Sequence, residues 1–468
     1  MLIGLQLLVN LITNTWSGVV LCVVYVRGCY WNAPCSYQLF GSKTPYDTVR
    51  GDIRDYSTPA SPRLRWPGIA LPVSIWTLNR HGNRNPGSSD TVGMKEVAGL
   101  KDEIVNSWTV GTSKLCAQDI EAFKKFRWND TMDVSASYLT GTGYDELYGI
   151  GQRLREKYPH LLSGQAEKFY FRPTNEQRTI TSCVAFIHGL TDGTNLNVTM
   201  EQARQRDDVI RPYENCDRYQ QEVRGGYTLA HQMDTFFASP QYVAVSETNV
   251  LLNASMVLSM YEMCRFFRSW EPDHRSPWCA VFSEEELLVM EYYDDIRHYY
   301  RNGYGSWVNE YLGRLPMKDL YDSLMDFIAG GGRKVSGHFT HDTMLEMSFL
   351  ALGLYKGDAP LQALHMDPTR VWRSSYFGAF STNIIAVLNR CDEIASRTAN
   401  QYYRVQLFIN ERQTPLCPLE GCTMQEFQEK FKPFTDANLD FCSMSYTPDE
   451  NEPSTNSASS ANSFWRFS

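Results

Sequence analysis

Apolar and polar positions along this chain fall into blocks that alternate between strand-like and helix-like patterns. Residues 73–78, VSIWTL, form a short run rich in β-branched and aromatic side chains and predict a strand. After Pro86, SSDTVGMKEVAGLKDEIVNSW opens on Ser/Asp start signals and places Val92, Val97, Leu100 and Ile104 at helical spacing. Residues 80–86, RHGNRNP, therefore occupy a strand-to-helix turn. YDELYGIGQRLREKYPHLL reads as an amphipathic helix, and EKFYFRPTNEQRTITSCVAFIHGL repeats the order strand, polar turn, helix. AGGGRKVSGHFTHDTMLEMSFLALGLY gives a Gly-rich loop, a short strand and a buried helix, and YYRVQLFIN a final sheet segment.

Between these blocks, residues 200–330 are rich in Tyr, Arg, Glu and Met with mainly helical periodicity, as in EEELLVMEYYDDIRHYY. The pattern predicts an α/β protein: a mixed or parallel-type sheet flanked by helices, with an inserted, mostly helical cap. The expected division is a core of 29–195 and 331–446, a cap of 196–330 and a disordered polar tail of 447–468. Residues 30–70, rich in Pro, Tyr and Ser, are expected as a loop-rich lead-in packed on the core. In open α/β sheets ligands bind beyond the carboxyl ends of strands, where helix N-termini offer free N–H groups to anions. The charges of RHGNRNP sit at such a place.

Charge and cysteine content narrow the setting. The 468 residues carry a net charge of −9, which argues against a nucleic-acid backbone as partner and requires any anionic substrate to be held by a local basic cluster. Residues 2–26 are uncharged and mostly apolar, ending at Arg27 before Cys29, with Asn10, Asn14 and Ser17 interrupting the run. Residues 1–28 read as an export signal, with a signal anchor as the rival reading. Twelve cysteines and the sequons at Asn129, Asn197 and Asn253 fit an oxidising, glycosylating compartment, so a secreted, lumenal or cell-surface location is expected. No CxxC pair suggests zinc. Cys264/Cys279 and Cys417/Cys422 are spaced for local bridges, the other partners stay undetermined, and Cys116 and Cys183 are expected as buried, unpaired thiols.

The chemistry concentrates in three segments. Five fixed positions in R-H-G-x-R-x-P arise by chance in such a chain with a probability on the order of 10⁻⁴. Arg80 and Arg84 offer planar forks suited to phosphoryl oxygens, and His81 between them offers a nucleophile that flanking positive charge keeps neutral. RHGNRNP resembles the signature of the histidine acid phosphatases, branch 2 of the histidine phosphatase superfamily. RPTNEQRTITSCVAFIHGL is similar to that family's second arginine segment, and FTHDTMLEM to its His-Asp segment. The resemblance is nearest to multiple inositol polyphosphate phosphatases of the invertebrate type and runs from about Cys29 to Cys442, including FGSKTPYDTVRG and RVQLFINERQTPLCPLEGC. It departs at His341-Asp342-Thr343, where vertebrate members carry His-Ala-Glu.

That resemblance implies a histidine phosphatase fold and a phosphomonoesterase working through a phosphohistidine on His81, with Asp342 as proton donor. Arg80, Arg84, Arg178 and His341 are the implied phosphate ligands, and no metal or cofactor is implied. The implied substrates are inositol polyphosphates such as InsP6, with 2,3-bisphosphoglycerate by analogy; nucleic acid is not a partner, and a membrane only if the N-terminal segment is retained. A broad acid phosphatase and a catalytically silent binding protein are the alternatives.

Elsewhere the expectations are structural. His338 is expected as a structural or second-layer group rather than a metal partner of His341, the two side chains lying on opposite faces of a strand. Arg172 is expected as a solvated or salt-bridged strand-end charge rather than a substrate ligand. Tyr292, Tyr293, Tyr299 and Tyr300 are at core spacing.

Overall fold

The computed structural model describes residues 39–58, 70–248, 253–271, 276–391 and 403–444. The apolar N-terminal stretch and the tail after 444, for which a signal segment and disorder are expected, lie outside the described residues.

Strands β1 (Leu71–Arg80), β2 (Phe169–Pro173), β3 (Val335–Thr340), β4 (Asn383–Arg390), β5 (Tyr403–Ile409) and β6 (Arg412–Gln413) form one sheet in the order β2-β3-β1-β4-β5-β6, with β7 (Cys422–Thr423) also on β5. The β2-β3-β1 half is parallel, and the β1-β4-β5 half antiparallel. The helices are α1 (Ser88–Ala98), α2 (Lys101–Thr109), α3 (Ala117–Lys125), α4 (Gly141–Lys157), α5 (Gln177–Thr191), α6 (Tyr227–Phe237), α7 (Pro240–Thr248), α8 (Ala254–Trp270), α9 (Glu284–Asn302), α10 (Trp307–Ile328), α11 (Asp342–Ala351), α12 (Ser374–Phe377) and α13 (Met424–Phe431).

Alternation along the strands divides the core in two. Ile75, Phe171, Ile385, Val387 and Phe408 face one layer with Leu147 and Ile150 of α4 and Phe186 of α5. Trp76, Leu78, Ile384, Ala386 and Leu407 face the other, with Leu312 of α10, Leu345 of α11 and the helices of the 227–302 region. A sheet covered on both faces needs apolar residues at successive positions, which is why β4 reads NIIAVLNR without alternation. Such a run does not distinguish a buried strand from a helix, and β4 is absent from the sequence-based prediction for that reason.

Several local expectations are corrected. The helix expected after Pro86 is two helices, α1 and α2, broken at Gly99-Leu100. The buried positions of α1 are Thr91, Met94 and Val97, at i, i+3 spacing, and Val92, one residue off that stripe, is 70% exposed. Cys116 is disulfide-bonded rather than an unpaired thiol. Cys183 is buried on α5, where burial pushes its thiol pKa up. Cys264 bonds Cys279 and Cys417 bonds Cys422. A long-range bridge, Cys216–Cys442, spans 226 positions, a separation from which no pairing can be read.

Candidate active site

Parallel pairing places the carboxyl ends of β1 and β3 side by side. Arg80 is in register with Thr340, and the His81 N–H donates to the Thr340 carbonyl at 2.9 Å. His81 and His341 thus leave the sheet as neighbours, with ring centres 5.6 Å apart. β3 ends at Thr340, so His341 is the N-cap of α11 rather than a strand residue. Arg178 enters from the first turn of α5, its Nη2 3.4 Å from His341 Nδ1.

Backbone fit explains the glycine of RHG. A Cβ on Gly82 would lie 2.2 Å from the Gly143 carbonyl oxygen, and one on Gly143 2.1 Å from that of Asn83. Only a pair of glycines lets the first turn of α4 close on the His81 loop. Glu146 of α4 then holds that loop, its Oε2 accepting from the Asn83 N–H at 2.9 Å and from the Ser381 hydroxyl at 2.7 Å. Burial raises the pKa of Glu146 to about 7.

Hydrogen bonding fixes the state of His81. Its Nδ1 lies 2.8 Å from the Gly82 carbonyl, which can only accept, so Nδ1 carries the proton and Nε2 keeps its lone pair. Burial, then Arg178, Arg80, His341 and Arg84, hold His81 well below the usual imidazole range. His341 is neutral for the same reasons, burial first and then Arg178 and Arg211, with Asp342 opposing. Since Arg178 can only donate, His341 Nδ1 accepts and Nε2–H donates to Thr174 Oγ1 at 3.2 Å.

Arg80 is fully buried, its Nη1 donating to the carbonyls of Ser42 at 2.7 Å and Gly378 at 2.6 Å. Its Nη2 is 3.0 Å from Asp342 Oδ2, and Nε is buried without a hydrogen-bond partner among the described residues. Arg178 Nε is in the same condition. Arg84 donates to the Asn85 carbonyl and lies over the Phe266 ring; burial, then Arg178, lowers its pKa to about 10. For Asp342, burial alone would raise the pKa, but Arg80, His298, Lys43 and His81 together hold it well below the usual carboxylate range. The site is thus a cluster of guanidinium groups with unpaired buried N–H donors around a neutral imidazole. Such a cluster stabilises a tetrahedral or trigonal oxyanion.

All six residues singled out by the motifs, Arg80, His81, Arg84, Arg178, His341 and Asp342, converge here. Arg172 does not: it is buried and paired with Asp207 at 2.7 Å, neither solvated nor in the site. His338 packs between Trp76 and Tyr170 and faces Asp319. Among the described residues no cluster of three or more His, Cys, Asp or Glu is arranged for a metal ion. Tyr292, Tyr299 and Tyr300 are buried, Tyr292 and Tyr300 donating to carbonyls of the 361–365 loop. Asn129, Asn197 and Asn253 are exposed.

Sequence reasoning missed three further charged groups here. Arg211 shares Glu176 with Arg178, at 2.9 Å and 3.2 Å, and its Nε is buried without a hydrogen-bond partner among the described residues. It is placed by its neighbour Ile210, whose carbonyl accepts from Thr340 Oγ1 at 2.6 Å. Glu146 and Lys43 are the others. Lys43 lies within FGSKTPYDTVRG and Glu146 within YDELYGIGQRLREKYPHLL, but no local spacing marks them or Arg211 as residues of the site, because each reaches it through a contact distant in sequence.

The family described as Histidine phosphatase superfamily (branch 2) matches residues 74–410. Multiple inositol polyphosphate phosphatase 1 of Drosophila melanogaster is 31% identical over 421 residues, 85% of this chain and 86% of that protein. The crystal structure of the phytase from D. castellii superposes with a TM-score of 0.66 at 16% identity, covering 88% of this chain and 90% of that one. The multiple inositol polyphosphate phosphatase of Bifidobacterium longum, in complex with inositol hexasulfate, gives 0.59 at 13% identity, covering 82% and 94%.

Proposed function

We propose, from the premise that this chain belongs to branch 2 of the histidine phosphatase superfamily and is a hydrolase of the histidine acid phosphatase type, that it removes phosphate from inositol polyphosphates, InsP6 and lower esters. 2,3-Bisphosphoglycerate is a further substrate by analogy. The observation that carries the reading is His81, a neutral imidazole with Nε2 unprotonated among buried arginine donors.

In the first step His81 Nε2 attacks phosphorus in line, forming the N–P bond as the ester P–O bond breaks. Arg80, Arg84 and Arg178 hold the equatorial oxygens, a preorganised charge stabilisation, and His341, whose Nδ1 accepts from Arg178 in the empty site, joins them as a donor by taking up a proton when the dianion arrives. Asp342 gives its proton to the leaving alkoxide, which departs as an alcohol. Its carboxylate then takes a proton from water, whose oxygen attacks phosphorus; the N–P bond breaks and phosphate leaves. A polyphosphorylated substrate is favoured because the positive charge exceeds what one phosphoryl group needs. Arg211 stands beside Arg178 with an unpartnered donor. The disulfides and the exposed sequons support a secreted or lumenal glycoprotein.

Assays with InsP6 and p-nitrophenyl phosphate, with acid-quench trapping of phosphoenzyme, test the reading. InsP6 is expected as the better substrate, and His81→Ala should lose both turnover and trapped phosphate by about 10⁴-fold or more. A large preference for the aryl ester makes the chain a broad acid phosphatase instead. No hydrolysis of either overturns the enzyme reading.

A further inference from the structure

Lys43 lies outside the motifs that define the site, in the single turn Gly41–Lys43. A buried cation normally has a carboxylate partner, and Lys43 has none among the described residues. Its side chain is 6% exposed, and Nζ donates to the Ser42 hydroxyl at 2.9 Å. Among the described residues no carboxylate reaches it within ion-pair distance.

The carboxylates nearby are engaged elsewhere. Glu262 of α8 pairs with Arg265. Asp294 of α9 pairs with Arg265 at 3.2 Å and accepts the Ser42 N–H at 2.7 Å. Asp342 of α11 pairs with Arg80. Two arginines also face Lys43, Arg265 from α8 and Arg84 from the β1–α1 turn, and Nζ stands 5.8 Å from the Phe266 ring that Arg84 also covers. Burial, then Arg265 and Arg84, lower its pKa to about 7, outweighing Asp294 and Glu262.

Lys43 is also tied to the phosphate cluster through the backbone. The carbonyl of Ser42, the residue before it, accepts from Arg80 Nη1 at 2.7 Å, and Lys43 is among the charges that hold Asp342 ionised. An unpaired lysine among arginines destabilises the empty site. A dianion beside Arg84 reverses that field. We propose that Lys43 is a further anion-binding residue of this site, its ammonium donating to the oxygens of a bound tetrahedral dianion and taking up a solvent proton as that anion arrives. The inference deepens the phosphatase reading and rests on it for the identity of the natural anion.

Sulfate is the probe, because it carries no titratable proton near neutrality. Calorimetry at about pH 8 in buffers of different ionisation enthalpy reads both affinity and protons taken up. Wild-type protein is expected to take up nearly one proton more than Lys43→Met, and to bind sulfate about tenfold more tightly. Lys43→Arg, charged at all working pH, should retain the affinity and lose the extra uptake. Equal affinity and uptake in wild type and Lys43→Met overturns the proposal; if that variant does not fold, undiminished uptake in Lys43→Arg does so. Lys43-dependent uptake in a protein that hydrolyses no phosphomonoester removes the phosphatase reading and leaves the anion site standing.

Discussion

Arg80 Nη2 stands 3.0 Å from Asp342 Oδ2, so the proposed proton donor is paired, in the empty site, with an arginine proposed to hold the phosphoryl group. The two engagements compete. A phosphate dianion drawn to Arg80 weakens its hold on Asp342 and repels the carboxylate, which raises the carboxyl pKa as substrate binds. The proton then comes from solvent. Turnover should therefore decline as pH rises, although the resting carboxyl stays ionised well into acid.

Asp342→Asn separates acid catalysis from phosphate binding. With InsP6, whose leaving group is an alkoxide, kcat should fall about 10²–10⁴-fold. Formation of phosphoenzyme from p-nitrophenyl phosphate, whose leaving group needs no proton, should fall by less than about tenfold. Rapid-quench measurement of phosphoenzyme with each substrate checks this; equal losses would remove Asp342 from the acid role.

Arg211→Ala tests the second-phosphate reading. It should lower kcat/KM for InsP6 by about 10–50-fold and leave p-nitrophenyl phosphate within about threefold, since one charge-assisted contact is lost only where a second phosphate exists. A parallel loss on both substrates would mean that Arg211 acts by positioning Arg178 through Glu176.

Glu146 makes the fold pH-sensitive. Burial raises its pKa from the ordinary glutamate value of 4.5 to about 7, so between these values the folded chain binds the proton and the unfolded chain does not. The contribution is fully present below the unfolded value and is lost as pH rises through the folded one, a difference of about 3 kcal/mol. Glu146→Gln keeps the acceptor for Asn83 and Ser381 without the charge. Its thermal midpoint, measured by calorimetry at mildly acidic and mildly alkaline pH, should vary less with pH than that of wild type and exceed it on the alkaline side.

The Cys216–Cys442 bridge closes a loop of 226 positions, and its removal by Cys216→Ser with Cys442→Ser should cost about 3–5 kcal/mol through the entropy returned to the unfolded chain. Denaturant titration under non-reducing conditions reads the loss. Opening Cys417–Cys422, separated by 5 positions, should cost less.

The features legible in the chain are local. VSIWTLNRHGNRNP and VSGHFTHDTMLEM each pack a strand signal, a turn and reactive side chains into a few residues, so the chemistry was legible together with the strand-to-helix geometry that presents it. With RPTNEQRTITSC they carried the α/β class and the six motif residues, and cysteine spacing carried the two short-range disulfides. The rest depended on pairing between distant segments. In-register pairing of Arg80 with Thr340 makes His81 and His341 neighbours, and the Gly82–Gly143 contact brings Glu146 beneath the His81 loop. Neither contact has a period or spacing to betray it. Lys43 and Arg211 are ordinary basic residues in sequence; burial without a carboxylate of its own for one, and a shared Glu176 for the other, give them their character. Charge identity is written in the chain, but desolvation and the company a charge keeps are decided only when the sheet and its surrounding helices close.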